Sequence, residues 1–346
     1  MIQPVKANEI FSLKSATLLV DVRSPAEFLQ GHIPGAVNIP LFTDSERAEV
    51  GTRYKQAGRD AALLVGLDYV GSRMSGFVKK LHALCRGRSR EVAVYCWRGG
   101  MRSASMAWLF STAGYKVYLP EGGYKAYRSY IREISGKGVP MIVIGGMTGS
   151  GKTEILYELR KLGEQVIDLE NLASNKGSVF GYLGQPEQPT NEQFENSLSD
   201  AWFSLDPSRP VWIEDESRSV GAVSLPGPFF ENMKLQTMVL LQVPVEKRVE
   251  RLMAEYAGFE KSSLTDALMK IAQPLGGQGV SGAVKSIEEG DFAPAIRLVL
   301  GYYDKMYRKA LTKFSNRKII RVESYTGNAA ENAALILKHA TGSAVT

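Results

Sequence analysis

Short apolar runs, each closing on a loop of glycine or charged residues, divide the chain into two series. In the first, 17–23 (Thr-Leu-Leu-Val-Asp-Val-Arg) is an apolar run ending in Asp-Val-Arg, and 91–96 (Glu-Val-Ala-Val-Tyr-Cys) is a β-rich run ending at a cysteine. A helix is expected over 103–113, stopped by Gly114, with a further strand at 116–119. In the second series, 141–144 (Met-Ile-Val-Ile) has the continuous apolar character of a buried strand. It feeds a glycine-rich turn and a helix over 154–162. Strands follow at 166–169, 211–214 and 238–243, with helices at 245–257 and 294–314. The glycine-rich stretch 276–282 reads as a loop in preference to a mobile lid.

Strands alternating with helices build parallel sheets, so the expected fold class is α/β with two parallel-sheet domains. Small and helix-breaking residues at 135–140 mark the boundary, giving a first domain over 1–136 and a second over 139–346. A length of 346 residues fits that division.

No apolar run nears the ~18 residues of a membrane span. The N-terminus has no basic segment followed by a long apolar stretch and a cleavage site, so a cytoplasmic protein without membrane association is expected. Two cysteines in a chain this long argue against a disulfide framework, and with three histidines they show no finger-like zinc spacing. The formal charge of +6 and a pI near 9.1 suit an anionic partner, nucleic acid or a phosphorylated small molecule, but equally a solvated basic surface.

The two cysteines differ in setting. Cys85 lies in an apolar helical pattern and is expected in the core. Cys96 is followed by Trp-Arg-Gly-Gly-Met-Arg-Ser. A cysteine at the end of a parallel strand, before a glycine-bearing turn into a helix, faces backbone N–H groups and a helix N-terminus. These donors favour the thiolate, the nucleophilic form. Arg98 and Arg102 add positive charge, whereas a buried structural cysteine is not usually followed by Arg-Gly-Gly-Met-Arg. Cys96 is therefore the expected catalytic residue, with Arg98 and Arg102 beside it.

Residues 5–135 resemble the rhodanese family. The resemblance rests on Val20–Phe28 (Val-Asp-Val-Arg-Ser-Pro-Ala-Glu-Phe), Gly31–Pro40 (Gly-His-Ile-Pro-Gly-Ala-Val-Asn-Ile-Pro), the Cys96 loop and Gly122-Gly123-Tyr124. It implies a cysteine that carries a chalcogen, with His32 a structural residue of its turn. One departure is that Arg102 stands six positions after Cys96, where the rhodanese loop has its arginine at five. The longer Cys-x5-Arg loop is similar to that of dual-specificity cell-cycle phosphatases, which share the fold. It implies room for a group larger than a single sulfur, such as selenium or a phosphorylated selenium donor.

Gly146-Met-Thr148-Gly149-Ser150-Gly151-Lys152-Thr153 matches the Walker A pattern between a strand and a helix. Glycines bring backbone N–H groups to phosphate oxygens, Lys152 is placed for the terminal phosphates, and Thr153 is a candidate Mg2+ ligand. The run Val-Trp-Ile-Glu-Asp-Glu-Ser at 211–217 ends like a Walker B strand, so Glu214 or Asp215 is a candidate for Mg2+, directly or through water. The alternative is that these acids pair with Arg218 or lysines. Arg218 and Arg248 are candidate phosphate clamps, with a helix-surface position the default for Arg248. No metal or cofactor is assigned with certainty, and any diphosphate suits such a loop.

Taken whole, residues 8–335 resemble the bacterial tRNA 2-selenouridine synthase family. Further support comes from Glu-Val-Gly-Thr-x-Tyr-Lys-Gln at 49–56, Gly58, Gln-Val-Ile-Asp-Leu-Glu at 165–170, and Trp-Ile-Glu-Asp-Glu-Ser-Arg at 212–218. The resemblance implies a rhodanese-like domain joined to a P-loop NTPase-like domain. It implies transferase chemistry on the anticodon stem-loop of tRNA, at 2-thiouridine in the wobble position. The sulfur would be alkylated from geranyl diphosphate held at 146–153. Selenium from selenophosphate, carried on Cys96 as a selanyl-cysteine, would then displace the S-geranyl group. A selenophosphate-producing enzyme is the implied donor source. Three other readings stay open on the residues alone: a sulfurtransferase with a nucleotide-dependent step, a Cys-x5-Arg phosphatase joined to a kinase-like module, and a nucleotide-regulated RNA-binding protein.

Overall fold

A computed structural model describes residues 1–313 and 316–342. The chain divides into two compact units, Met1–Ile134 with Glu195–Phe203, and Ser135–Phe194 with Ser204–Thr346.

The first unit is built on strands β1 (Ile2–Val5), β2 (Leu18–Asp21), β3 (Val37–Asn38), β4 (Glu91–Tyr95) and β5 (Lys116–Pro120), in the spatial order β1-β5-β4-β2-β3. Every pairing is parallel. Central β4 alternates between two cores, with the twofold period of a strand. Val92 and Val94 join Val20, Leu81 and Phe110 on one face. Ala93 and Tyr95 join Tyr124, Tyr127 and Ile131 on the other. Cys85 is buried in the first of these cores. The helix expected over 103–113 runs Met101–Thr112, because Gly100 is still extended (φ −91°, ψ −153°) and forms its N-cap. Helix Asp44–Val70 carries a break at Gly58 (φ +86°). Segment Glu195–Phe203, from helix Asn191–Phe203, completes the unit. Arg128 pairs with Glu195 and donates to Asn196 Oδ1 at 2.7 Å, and Asn196 Nδ2 donates to the Tyr124 hydroxyl at 2.7 Å.

The second unit contains β6 (Met141–Gly146), β7 (Gln165–Ile167), β8 (Val211–Glu214), the hairpin β9 (Ser219–Val220) and β10 (Val223–Ser224), β11 (Met238–Gln242) and β12 (Ile319–Glu323). Its main sheet runs β12-β11-β6-β8-β7, again all parallel. From β6 the chain builds first toward β8 and β7 and later toward β11 and β12. The C-terminal end of β6 is therefore the switch point where open α/β sheets place their ligands.

The stretch 276–282 is not a loop. Gly276 (φ +80°) caps helix Gly277–Glu289. Val280, Ala283 and Ile287 recur at helical spacing and are buried, and their packing outweighs the intrinsic cost of three helical glycines. The helix expected over 294–314 is Phe292–Thr312; Phe314 lies outside the described residues. No helix among the described residues is long and apolar enough to cross a membrane.

Candidate functional site

Parallel pairing brings the C-terminal ends of β2 and β4 to one edge of the first sheet, with Asp21 level with Tyr95. The loop after β4 thus opens beside the Asp-Val-Arg segment. Cys96 is 3% exposed, and its Sγ lies 3.2 Å from Ser103 Oγ in the first turn of helix Met101–Thr112. The Ser103 hydroxyl donates to Gly100 O at 3.1 Å. With that proton committed, the thiol is the donor to Ser103; a thiolate would be met by rotation of the hydroxyl.

The turn after β5 fixes this loop. Tyr124 N donates to Cys96 O and Lys125 N to Trp97 O, each at 2.9 Å. Gly123 has φ +58°, and a Cβ there would collide with Cys96 O; Gly122 has φ +69°, and a Cβ there would press on Ala126, so both positions call for glycine.

Arg102 does not stand free beside the sulfur. It is engaged by Glu27, with Nη1–Oε2 at 2.6 Å and Nη2–Oε1 at 3.3 Å. Burial raises the Glu27 pKa, but Arg102 outweighs it and holds the carboxyl below its usual range. Arg98 is exposed. His32 stacks on Phe28 at 3.8 Å, with Nδ1 3.0 Å from Phe28 O, and so braces its own turn. Asp21 and Arg23 form a buried pair (2.6 Å), with the guanidinium 3.9 Å from the Tyr124 ring centre.

In the second unit, the glycine-rich loop joins β6 to helix Lys152–Lys161. Gly151 caps the helix at φ +80°, and the Arg251 guanidinium lies 2.7 Å from where its Cβ would stand. The first-turn N–H groups have no intrahelical partners. Lys152 Nζ donates to Gly146 O (3.3 Å), and Thr153 Oγ1 donates to Glu170 Oε2 (2.8 Å). Ser150 Oγ and Glu214 Oε2 are buried without a hydrogen-bond partner.

The two acids expected to hold Mg2+ have different surroundings. Asp215 Oδ1 accepts from Lys234 (2.7 Å) and Arg317 (3.0 Å), and Oδ2 accepts from the Tyr307 hydroxyl (3.0 Å). Burial opposes its ionisation, but the two cations keep its pKa below the usual value. Both oxygens are occupied, so the pairing alternative describes Asp215, with Lys234 and Arg317 as its partners and not Arg218. Glu214 is fully buried and accepts from Glu170 N at 2.9 Å. Burial, with nearby Asp168, Glu170 and Glu216, pushes its pKa well up, and burial pushes Glu216 up to about 8. Among the described residues, no three His, Cys, Asp or Glu side chains are grouped to hold a metal ion.

Neither arginine expected as a clamp has that geometry. Arg218 is exposed and does not line the cavity described below. Arg248 is not on the helix surface: it is 3% exposed, paired with Asp304 through both terminal nitrogens (2.9 and 2.7 Å), and donates to Thr148 O (3.2 Å). It braces the loop from behind. Tyr307 holds the loop from the cavity side, its hydroxyl accepting from Gly146 N at 3.1 Å. Sequence reasoning missed Glu170, Glu216, Lys234, Arg251 and Tyr307. The signal present was a polar Asp304 and Tyr307 on the otherwise apolar face of a long helix.

The glycine-rich loop forms one end of a cavity of about 580 Å³. Lys152, Thr153, Glu170 and Glu216 line its polar end. Leu252, Tyr256, Leu268, Val299 and Tyr303 are among its apolar walls, drawn from helices Val245–Tyr256, Lys261–Met269 and Phe292–Thr312. A phosphate cradle opening onto an apolar chamber suits an amphiphile with an anionic head and a hydrocarbon tail.

The family model of the tRNA 2-selenouridine synthase AAA domain matches residues 139–334, and that of the rhodanese-like domain matches residues 6–130. The chain is 34% identical to a tRNA 2-selenouridine synthase of Shewanella loihica, across 89% of this chain and 91% of the relative. It is 37% identical to one of Nitrosomonas eutropha (78% and 71%) and 41% identical to one of Bdellovibrio bacteriovorus (69% and 64%).

Proposed function

We infer that this chain, which belongs to the tRNA 2-selenouridine synthase family, converts wobble 2-thiouridine of tRNA to 2-selenouridine by two successive exchanges. In the first, the thiocarbonyl sulfur attacks C1 of geranyl diphosphate, the C–O bond breaks, and diphosphate leaves with the bonding electrons. In the second, selenium from selenophosphate replaces the alkylated sulfur at C2, which departs as geranylthiol, while the phosphorus ends as phosphate after hydrolysis. Alkylation makes a poor leaving group a better one, which is why the order matters.

The observation that carries this reading is the phosphate loop opening directly into an apolar cavity. A nucleoside triphosphate needs no hydrocarbon chamber, whereas a prenyl diphosphate fills both ends. Lys152 and the first-turn N–H groups bind the diphosphate and stabilise it as it leaves. Arg248 and Tyr307 hold the loop in shape. Cys96 serves selenium delivery, with Ser103 as its hydrogen-bond partner.

The test is nucleoside mass spectrometry on tRNA treated with purified variants. Lys152→Ala should abolish S-geranyl-2-thiouridine. Cys96→Ser should abolish 2-selenouridine while S-geranyl-2-thiouridine still forms. Geranylation at the wild-type rate by Lys152→Ala, or normal selenation by Cys96→Ser, refutes the respective assignment. Turnover of a generic aryl phosphate blocked by vanadate would instead favour a phosphatase.

A further inference from the structure

We propose that helix Phe292–Thr312 is a length gauge for the hydrocarbon tail, with Val299 and Ala295 as the residues that set which prenyl chains are accepted. This rests on the prenyl diphosphate reading of the cavity.

The helix lines the cavity along its length, and Phe292, Ala295, Val299, Tyr303, Met306 and Tyr307 are among the residues that do so. Their spacing of three and four residues places them on one face. The stripe is anchored at its polar end, where Tyr307 bonds Gly146 N and Asp215 at the glycine-rich loop. It ends in the apolar cluster of Leu264, Leu268, Ile287 and Ala295. The cavity wall therefore runs from phosphate site to hydrocarbon interior along a rigid element.

A helix advances ~1.5 Å per residue, which puts Tyr303 about 6 Å, Val299 about 12 Å and Ala295 about 18 Å from the level of Tyr307. With carbon–carbon bonds of ~1.5 Å, an extended isoprene unit of four chain carbons spans ~5 Å, close to one step of this stripe. With the diphosphate at Tyr307 and Gly146, the first isoprene unit lies beside Tyr303, the second beside Val299 and the third beside Ala295. Val299 is β-branched and stiff, and Ala295 is small; both are largely buried, at 7% and 5% exposure. Enlarging either closes the chamber at a defined depth.

The experiment measures kcat/KM of the full-length protein for prenylation of 2-thiouridine tRNA with dimethylallyl, geranyl and farnesyl diphosphates. Val299→Phe should lower the geranyl to dimethylallyl ratio at least tenfold. Ala295→Phe should lower the farnesyl to geranyl ratio at least tenfold, the scale expected when one apolar unit is excluded from a pocket. Val299→Ala opens space at the depth of the second unit and should raise the geranyl to dimethylallyl ratio, so the gauge stays testable if an enlarged variant does not fold. Equal changes for all three diphosphates in every folded variant overturn the gauge. Absence of transfer from any of the three by the wild-type protein would instead overturn the prenyl diphosphate reading itself.

Discussion

Replacing Asp215 by asparagine separates two roles for the same carboxylate. As a Walker B acid it would serve a metal at the site. In the structure it is the centre of a buried network, accepting from Lys234, Arg317 and Tyr307, with Lys234 and Arg317 side chains 10% and 3% exposed. Asp215→Asn preserves shape but leaves two buried cations without a counter-charge. Removing one partner from a buried ion pair costs about 3–5 kcal/mol. For a unit of this size that is a fall in melting temperature on the order of 10 °C. Glu214→Gln is the internal control. Burial and the neighbouring acids push the Glu214 pKa well up and so favour its neutral form, and the neutral amide is expected to change stability by no more than about 1 kcal/mol. Differential scanning calorimetry reads both variants. An unchanged transition in Asp215→Asn with lost activity, or equal destabilisation by the two variants, would refute the structural role.

Gly123→Ala should destabilise the first unit by at least ~2 kcal/mol, because the left-handed backbone and the contact with Cys96 O both exclude a Cβ. Calorimetry should show the loss, and alkylation of Cys96 should change rate as the loop shifts; native behaviour in both would refute the clamp. The ligand-free second unit should lose stability as pH rises from the ordinary carboxylate range through about 8, since the folded protein retains a proton on Glu216 that the unfolded chain has released. Urea titrations across that range test this. Glu216→Gln should flatten the part of the decline nearest pH 8, and an identical slope in the variant contradicts the assignment.

The parts of the molecule that were legible in the sequence are those whose chemistry is local. The strand ending at Cys96, the turn after it, and the loop 146–153 each lie within one strand-turn-helix unit, where glycine, charge and apolar periodicity follow one another directly. What was not legible is what closes these units. Glu27 reaches Arg102 across 75 sequence positions, and Tyr307 reaches Gly146 across 161. An arginine reads the same whether it faces sulfur, solvent or a buried carboxylate, so neither the Glu27 partner of Arg102 nor the Asp304 partner that takes Arg248 off the helix surface could be read locally.

The cavity was hidden for a different reason. Its walls show the helical repeat of apolar residues that also makes a packed core, and hydrophobic periodicity reports which face is turned from water, not what fills the space beside it. Phe292–Thr312 differs from an ordinary core helix only in where its polar residues fall. Asp304 binds Arg248 behind the loop, and Tyr307 binds the loop backbone itself. Both lie toward the C-terminal part of the helix, with Ala295 and Val299 toward the other end. One helix thus supports the glycine-rich loop through its C-terminal half and lines the cavity along its length. That shared support keeps the anionic and apolar ends of the cavity at a fixed separation.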